Sequence, residues 1–138
     1  MGAFALNGRF IGTIRLIPLG ISLAPCEAVI ARHPQLPAQI QEDGWEVGRL
    51  VLHPDHRSEP ELLKNCFHLT LMRFIESYPT ANFFATCNPL LARLYRRFGF
   101  SVLVREACEK EGEPYHLIHG NVASVRLAVA KDAQGARQ

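Results

Sequence analysis

Asn88-Pro89-Leu90-Leu91-Ala92-Arg93-Leu94-Tyr95-Arg96-Arg97-Phe98-Gly99-Phe100 is the stretch whose reading decides the fold. Proline suits the first turn of a helix, where its missing N–H has no intrahelical acceptor to lose. Residues 89–98 therefore read as a short amphipathic helix, and Gly99 as its C-cap, a position that wants left-handed backbone. Ala81 to Cys87 before it is a buried strand, and Phe100 to Arg105 after it is another. Tyr95 follows Asn88 by seven residues, two helical turns, so both can face one cleft.

Outward toward the N-terminus, Pro79 closes a helix predicted over 58–77. Its apolar positions Leu62, Leu63, Cys66, Phe67, Thr70, Leu71, Phe74 and Ile75 recur at helical period. Ser58 and Glu61 stand at capping-box spacing at its start. Trp45 to His53 reads as a central strand, with a bulge predicted at Gly48. Prolines 25, 34 and 37 limit the stretch before it to about two helical turns over Cys26–Arg32, in a long irregular connection. Ala3–Leu6 and Arg9–Pro18 are β-rich runs joined by Asn7-Gly8, the signature of a tight hairpin. Toward the C-terminus, an acidic turn over 109–113 leads to a strand over Tyr115–His119. Asn121 is placed to cap a last helix reaching about Lys131, with 132–138 expected to be a disordered tail. The order is ββ–loop–β–α–β–α–β–β–α, an α+β domain over residues 3–131.

Composition narrows the function classes. The chain has 138 residues, enough for one domain with a sizeable core, and a formal charge of +2, too small to argue for nucleic acid. No apolar run reaches the ~18 residues that span a bilayer. No signal peptide is recognisable, and a cytoplasmic location is expected. Cys26, Cys66, Cys87 and Cys108 form no CxxC pair and read as free thiols. No metal is expected: His53 and His56 straddle a Pro-Asp turn, and His116 and His119 would face opposite sides of a strand.

The run Asn88 to Phe100 resembles the pattern of the GCN5-related N-acetyltransferase (GNAT) superfamily, in which an Asn ends a strand and a Tyr precedes a Gly-Phe strand start. The element order over residues 3–119 resembles it too, without the family's usual first strand and first two helices. The resemblance implies a mixed, mainly antiparallel sheet with helices on both faces. It also implies roles. Tyr95 would protonate a departing thiolate, worth about 10²–10⁴ in rate. Asn88 would hydrogen-bond a pantetheine arm. The structural alternative makes Tyr95 a half-buried aromatic and Asn88 a strand-end cap.

A narrower resemblance concerns Gly12-Thr13-Ile14-Arg15-Leu16 with Trp45-Glu46-Val47-Gly48-Arg49-Leu50. These look like the branch containing acyl-homoserine-lactone synthases and N-acyl amino acid synthases. It implies that Glu46 accepts the proton of an amine acceptor and Arg15 binds the acceptor's carboxylate. Arg49 would steady Glu46 or orient the acyl carbonyl, and a backbone N–H near Val51 or Leu52 would meet the oxyanion. Residues three apart on a regular strand face opposite ways, so pairing Glu46 with Arg49 requires the bulge. A structural ion pair is the alternative.

One departure bears on the donor. Typical acetyl-CoA users place glycines after the central strand, whose bare N–H groups wrap the pyrophosphate. Here Arg57 matches, but Pro60 stands for a glycine, and Glu59 and Glu61 bring negative charge. This weakens the case for acetyl-CoA and suits a phosphopantetheine thioester carried on an acyl carrier protein, with acyl-CoA the other donor. Arg57, Arg93, Arg96 and Arg97 would then meet the carrier's acidic surface; a merely solvated helix face is the alternative. The expected function is acyl transfer from that thioester to the amine of an amino acid or related small molecule. A non-catalytic sensing module is the alternative, and a homodimer is compatible with either.

Overall fold

The computed structural model describes residues 2–6, 9–21, 23–56 and 60–136. Side chains are described from Gly12 onward, those of residues 49–52, 56, 60, 63 and 132–136 excepted. β1 (Gly2–Leu6) and β2 (Arg9–Pro18) form the predicted hairpin, closed by the pair Leu6 and Arg9. Asn7 and Gly8 themselves lie outside the described residues. α1 (Cys26–Ala31) and a 3₁₀ turn over Ala38–Gln41 fill the connection to β3 (Gly44–Leu52). After the turn Pro54–His56 come α2 (Pro60–Ser77), β4 (Asn82–Cys87) and α3 (Pro89–Arg96). β5 (Ser101–Lys110), β6 (Glu113–Asn121) and α4 (Val122–Ala136) complete the chain. Asn121 caps α4 by accepting from Ser124 N at 2.8 Å, and the helix runs to Ala136, past the expected end near Lys131.

The sheet has six strands in the order β1-β2-β3-β4-β6-β5, antiparallel except where β3 and β4 run parallel. This is the mainly antiparallel α+β arrangement expected, with helices on both faces. Alternation along β4 assigns the faces. Phe83, Ala85 and Cys87 join a core with Phe67 and Leu71 of α2, Tyr95 of α3 and Val125 of α4. Phe84 turns the other way, into a second core with Cys26, Val29 and Ile30 of α1.

Two irregularities shape the site. Thr13 pairs with Val51 and Arg15 with Gly48, so Ile14 faces two residues, Arg49 and Leu50. The predicted bulge exists, on the two residues just after Gly48. The second is a fork. β3 and β4 pair only from Gly44 with Asn82 to Glu46 with Phe84. Beyond that point β3 keeps to β2 while β4 keeps to β6, and the sheet opens between them.

Candidate active site

Glu46 is the last β3 residue paired across the fork. Its side chain, 4% exposed, lies on the α1 face, opposite in parity to the core residue Val47. Arg15 sits on the neighbouring strand opposite Gly48, and two residues from Ile17, the partner of Glu46, so it shares that face. Thr86 shares it from β4, two residues beyond Phe84. Arg15, Glu46, Gly48, Thr86 and Lys110 line one pocket of about 340 Å³, with Pro25 at its rim. The guanidinium lies close over Gly48: a Cβ there would be at ordinary contact distance, 3.6 Å, from Arg15 Nη2.

Glu46 Oε1 is held by the Cys26 backbone N–H at the start of α1, at 2.9 Å. Glu46 Oε2 and Arg15 Nε are buried and have no hydrogen-bond partner among the described residues. Buried polar groups are rarely left so, and both belong to residues lining one pocket. Burial pushes the Glu46 carboxyl above the usual range. The Cys26 contacts and the positive charges of Arg15 and Lys110 act against that rise without cancelling it. Burial first, and the Glu46 carboxylate second, push the Cys26 thiol up, so it is not an activated nucleophile.

Tyr95 stands on the other face, in the core shared with α2 and α4. Asn88 caps α3 as its strand-end alternative predicts: its Oδ1 accepts from Leu91 N at 2.8 Å, and its NH₂ group remains available as a donor. Tyr95 is 4% exposed and packs edge-on against Phe67 at 5.4 Å and Phe100 at 5.2 Å. Burial holds its phenol protonated well above the usual range, with nearby Cys87 adding to the effect. The thiol of Cys87 is itself pushed up to about 11 by burial. Of the predicted residues, Arg15 and Glu46 are thus brought together, while Tyr95 lies across the sheet from them and Asn88 stands between β4 and α3 as the helix cap. The backbones of Arg49, Val51 and Leu52 lie on β3 beyond the fork, but their side chains are outside the described part. Arg57 is outside the described residues altogether. Among the described residues no group of His, Cys, Asp and Glu is arranged to hold a metal ion.

Thr86, Lys110 and the Cys26 N–H were not foreseen. Thr86 had a signal, since period-two alternation from Phe84 puts it on the Glu46 side. Lys110 had none. It reaches Thr86 Oγ1 at 3.4 Å, from a strand whose pairing with β6 slips twice.

No curated protein sequence matches the chain. Among solved structures it is similar to FeeM, an N-acyl amino acid synthase from uncultured soil microbes. The two are 18% identical with a TM-score of 0.67, over 91% of this chain and 74% of that one. It is similar also to BjaI, a CoA-dependent acyl-homoserine lactone synthase, at 13% identity and a TM-score of 0.66, over 94% of this chain and 62% of that one. ElaA of Escherichia coli gives 15% identity and a TM-score of 0.57, over 86% of this chain and 65% of that one. The chain thus spans less than two thirds of the length of BjaI and of ElaA. These likenesses establish the GNAT fold. The model of the FeeM N-acyl amino acid synthase family matches residues 1–121, and the chain belongs to that family.

Proposed function

We propose that the protein is an N-acyltransferase that moves an acyl group from a phosphopantetheine thioester to the amine of an amino acid or a related small molecule. The observation that carries this reading is the pair of orphaned atoms, Glu46 Oε2 and Arg15 Nε, in one pocket at the fork of the sheet. An ammonium group must lose a proton before its nitrogen can attack. A carboxylate with a raised pKa is a better base for that step. Arg15 supplies the donors that a carboxylate on the same small molecule requires. The amine nitrogen then bonds to the thioester carbon, the C–S bond breaks, and the thiolate takes a proton. Tyr95, kept protonated, fills that last role. The Asn88 NH₂ group holds the pantetheine arm. Arg49 orients the acyl carbonyl, and Arg57 meets the donor's phosphate. A backbone N–H near Val51 or Leu52 stabilises the oxyanion.

The donor is either acyl-CoA or an acyl carrier protein. BjaI is CoA-dependent, whereas the exposed Arg93, Arg96 and Arg97 favour an acidic carrier surface. The test is incubation with long-chain acyl-CoA or acylated carrier protein and a mixture of amino acids, read by mass spectrometry. N-acyl amino acids are expected. Tight binding of a donor without product from any acceptor would establish a sensing module instead.

A further inference from the structure

Between α3 and the strands β5 and β6 lies a pocket of about 250 Å³, none of whose lining residues takes a chemical step in the reaction above. Arg93 and Arg96 of α3 and Arg105 of β5 line it, with Ala92 and Val102 as apolar walls and His116 of β6. Three arginines thus line one pocket, Arg96 being shared with the groove on the other flank of α3, and among the described residues none of them forms an ion pair. His116 is only 7% exposed. Its Nδ1 accepts from the Glu106 backbone N–H at 2.9 Å, so a neutral ring carries its proton on Nε2. That contact is made by a strained residue: Glu106 has a left-handed φ of 48°, at one of the irregularities of β5. With Nδ1 accepting this bond, Nε2 is the imidazole nitrogen left to donate, in a pocket that three arginines also line.

We propose that this pocket binds the phosphate group of a phosphate ester or of free phosphate. Several arginines and a neutral imidazole donor suit a compact oxyanion with many acceptor positions. The volume is ample for phosphate or diphosphate. Its position suggests two sources. Cys87, the register partner of His116, is followed directly by Asn88, so the phosphorylated end of a donor is one source. A free anion acting as an effector is the other.

The test is isothermal titration calorimetry of the full chain with inorganic phosphate, pyrophosphate and 3′,5′-ADP, at constant ionic strength in chloride. Saturable binding of at least one probe is expected. The double variant Arg93→Gln/Arg105→Gln should weaken it at least tenfold. Arg97→Gln, on the opposite flank of α3, should leave it within twofold. All three arginines are exposed, so the variants should melt as the wild type does. Binding of inorganic phosphate identifies a free-anion site, and binding of 3′,5′-ADP alone identifies a donor-borne phosphate. Failure of every probe to saturate, or equal affinity in the double variant, would overturn the proposal.

Discussion

The backbone N–H of Cys26 donates to Glu46 Oε1 at 2.9 Å, while the other carboxylate oxygen is buried without a partner among the described residues. One oxygen is an anchor, and in the proposed reaction the other takes the proton. α1 thereby has a second task besides covering the sheet, since the N–H comes from its first residue.

This arrangement sets a pH dependence. The folded-state pKa of Glu46 lies above its unfolded value. The native state therefore binds the proton more tightly, and stability falls as pH rises from the ordinary carboxylate range through the raised value. Glu46→Gln keeps the anchor and removes the charge. It should abolish turnover, flatten that part of the stability–pH curve, and leave the melting temperature at neutral pH unchanged or higher. Thermal melts of both proteins from pH 4 to 8 check this. A variant that melts much lower at pH 7 would reassign Glu46 to a structural ion pair.

Arg15 should act on acceptor binding. A hydrogen bond to a charged group is worth about 1.5–3 kcal/mol, or roughly 10- to 150-fold in affinity. Arg15→Gln should raise the acceptor KM by that order with a smaller change in kcat. Arg15→Lys should recover little, because a lysine cannot present the fork. Steady-state kinetics with an amino-acid acceptor decide it. An unchanged KM in both variants would remove Arg15 from the acceptor site.

How much of this was legible beforehand follows from the range of the forces involved. The hairpin, the helix over Pro60–Ser77 and the strand–helix–strand around Asn88 rest on turn residues, caps and periodicity, all local in sequence. The bulge after Gly48 was legible because a glycine interrupts an apolar strand there. The fork was legible only through the GNAT resemblance, whose central strand splays, because locally it depends on β3 and β4 each preferring its outer neighbour. Lys110 was hidden for a related reason. Its place in the pocket depends on two register slips in β5, and Glu106 carries a backbone angle that its residue type does not announce. Asn88 and Tyr95 illustrate a third case. Seven residues put them on one face of a helix, but only the packing of Phe67, Phe98 and Phe100 determines how far the phenol is enclosed.

Tyr95 invites a separation of packing from chemistry. Its ring is part of a cluster centred on Phe67, which stacks on Phe98 at 4.4 Å. Tyr95→Phe keeps the ring and removes the hydroxyl. It should fold with a similar melting temperature and lose about 10²-fold in kcat if the phenol protonates the thiolate. Tyr95→Ala should instead cost about 3–5 kcal/mol of stability through the cavity left behind. Full activity of Tyr95→Phe would leave the phenol a purely structural role.

Gly99 and Gly112 form a matched pair for testing how α3 is held against α4. Both have left-handed backbone, with φ of 92° and 80°. A Cβ at Gly112 would meet nothing within 4 Å, whereas one at Gly99 would lie 2.5 Å from Ser124 O and 2.8 Å from Val125 N. Gly112→Ala should therefore cost only the conformational strain, about 1–2 kcal/mol. Gly99→Ala carries the same strain and must also push α4 away from the C-terminus of α3, adding about 1–3 kcal/mol of overpacking. The obstructing atoms are backbone, so no side-chain rotation relieves the clash. Val125 is fully buried in the main core, so displacing it loosens the packing beneath α2 as well. Urea unfolding of the two variants should show Gly99→Ala as the weaker by at least about 1 kcal/mol. Equal losses would mean that α4 shifts at no cost, and that its contact with Gly99 does not anchor it.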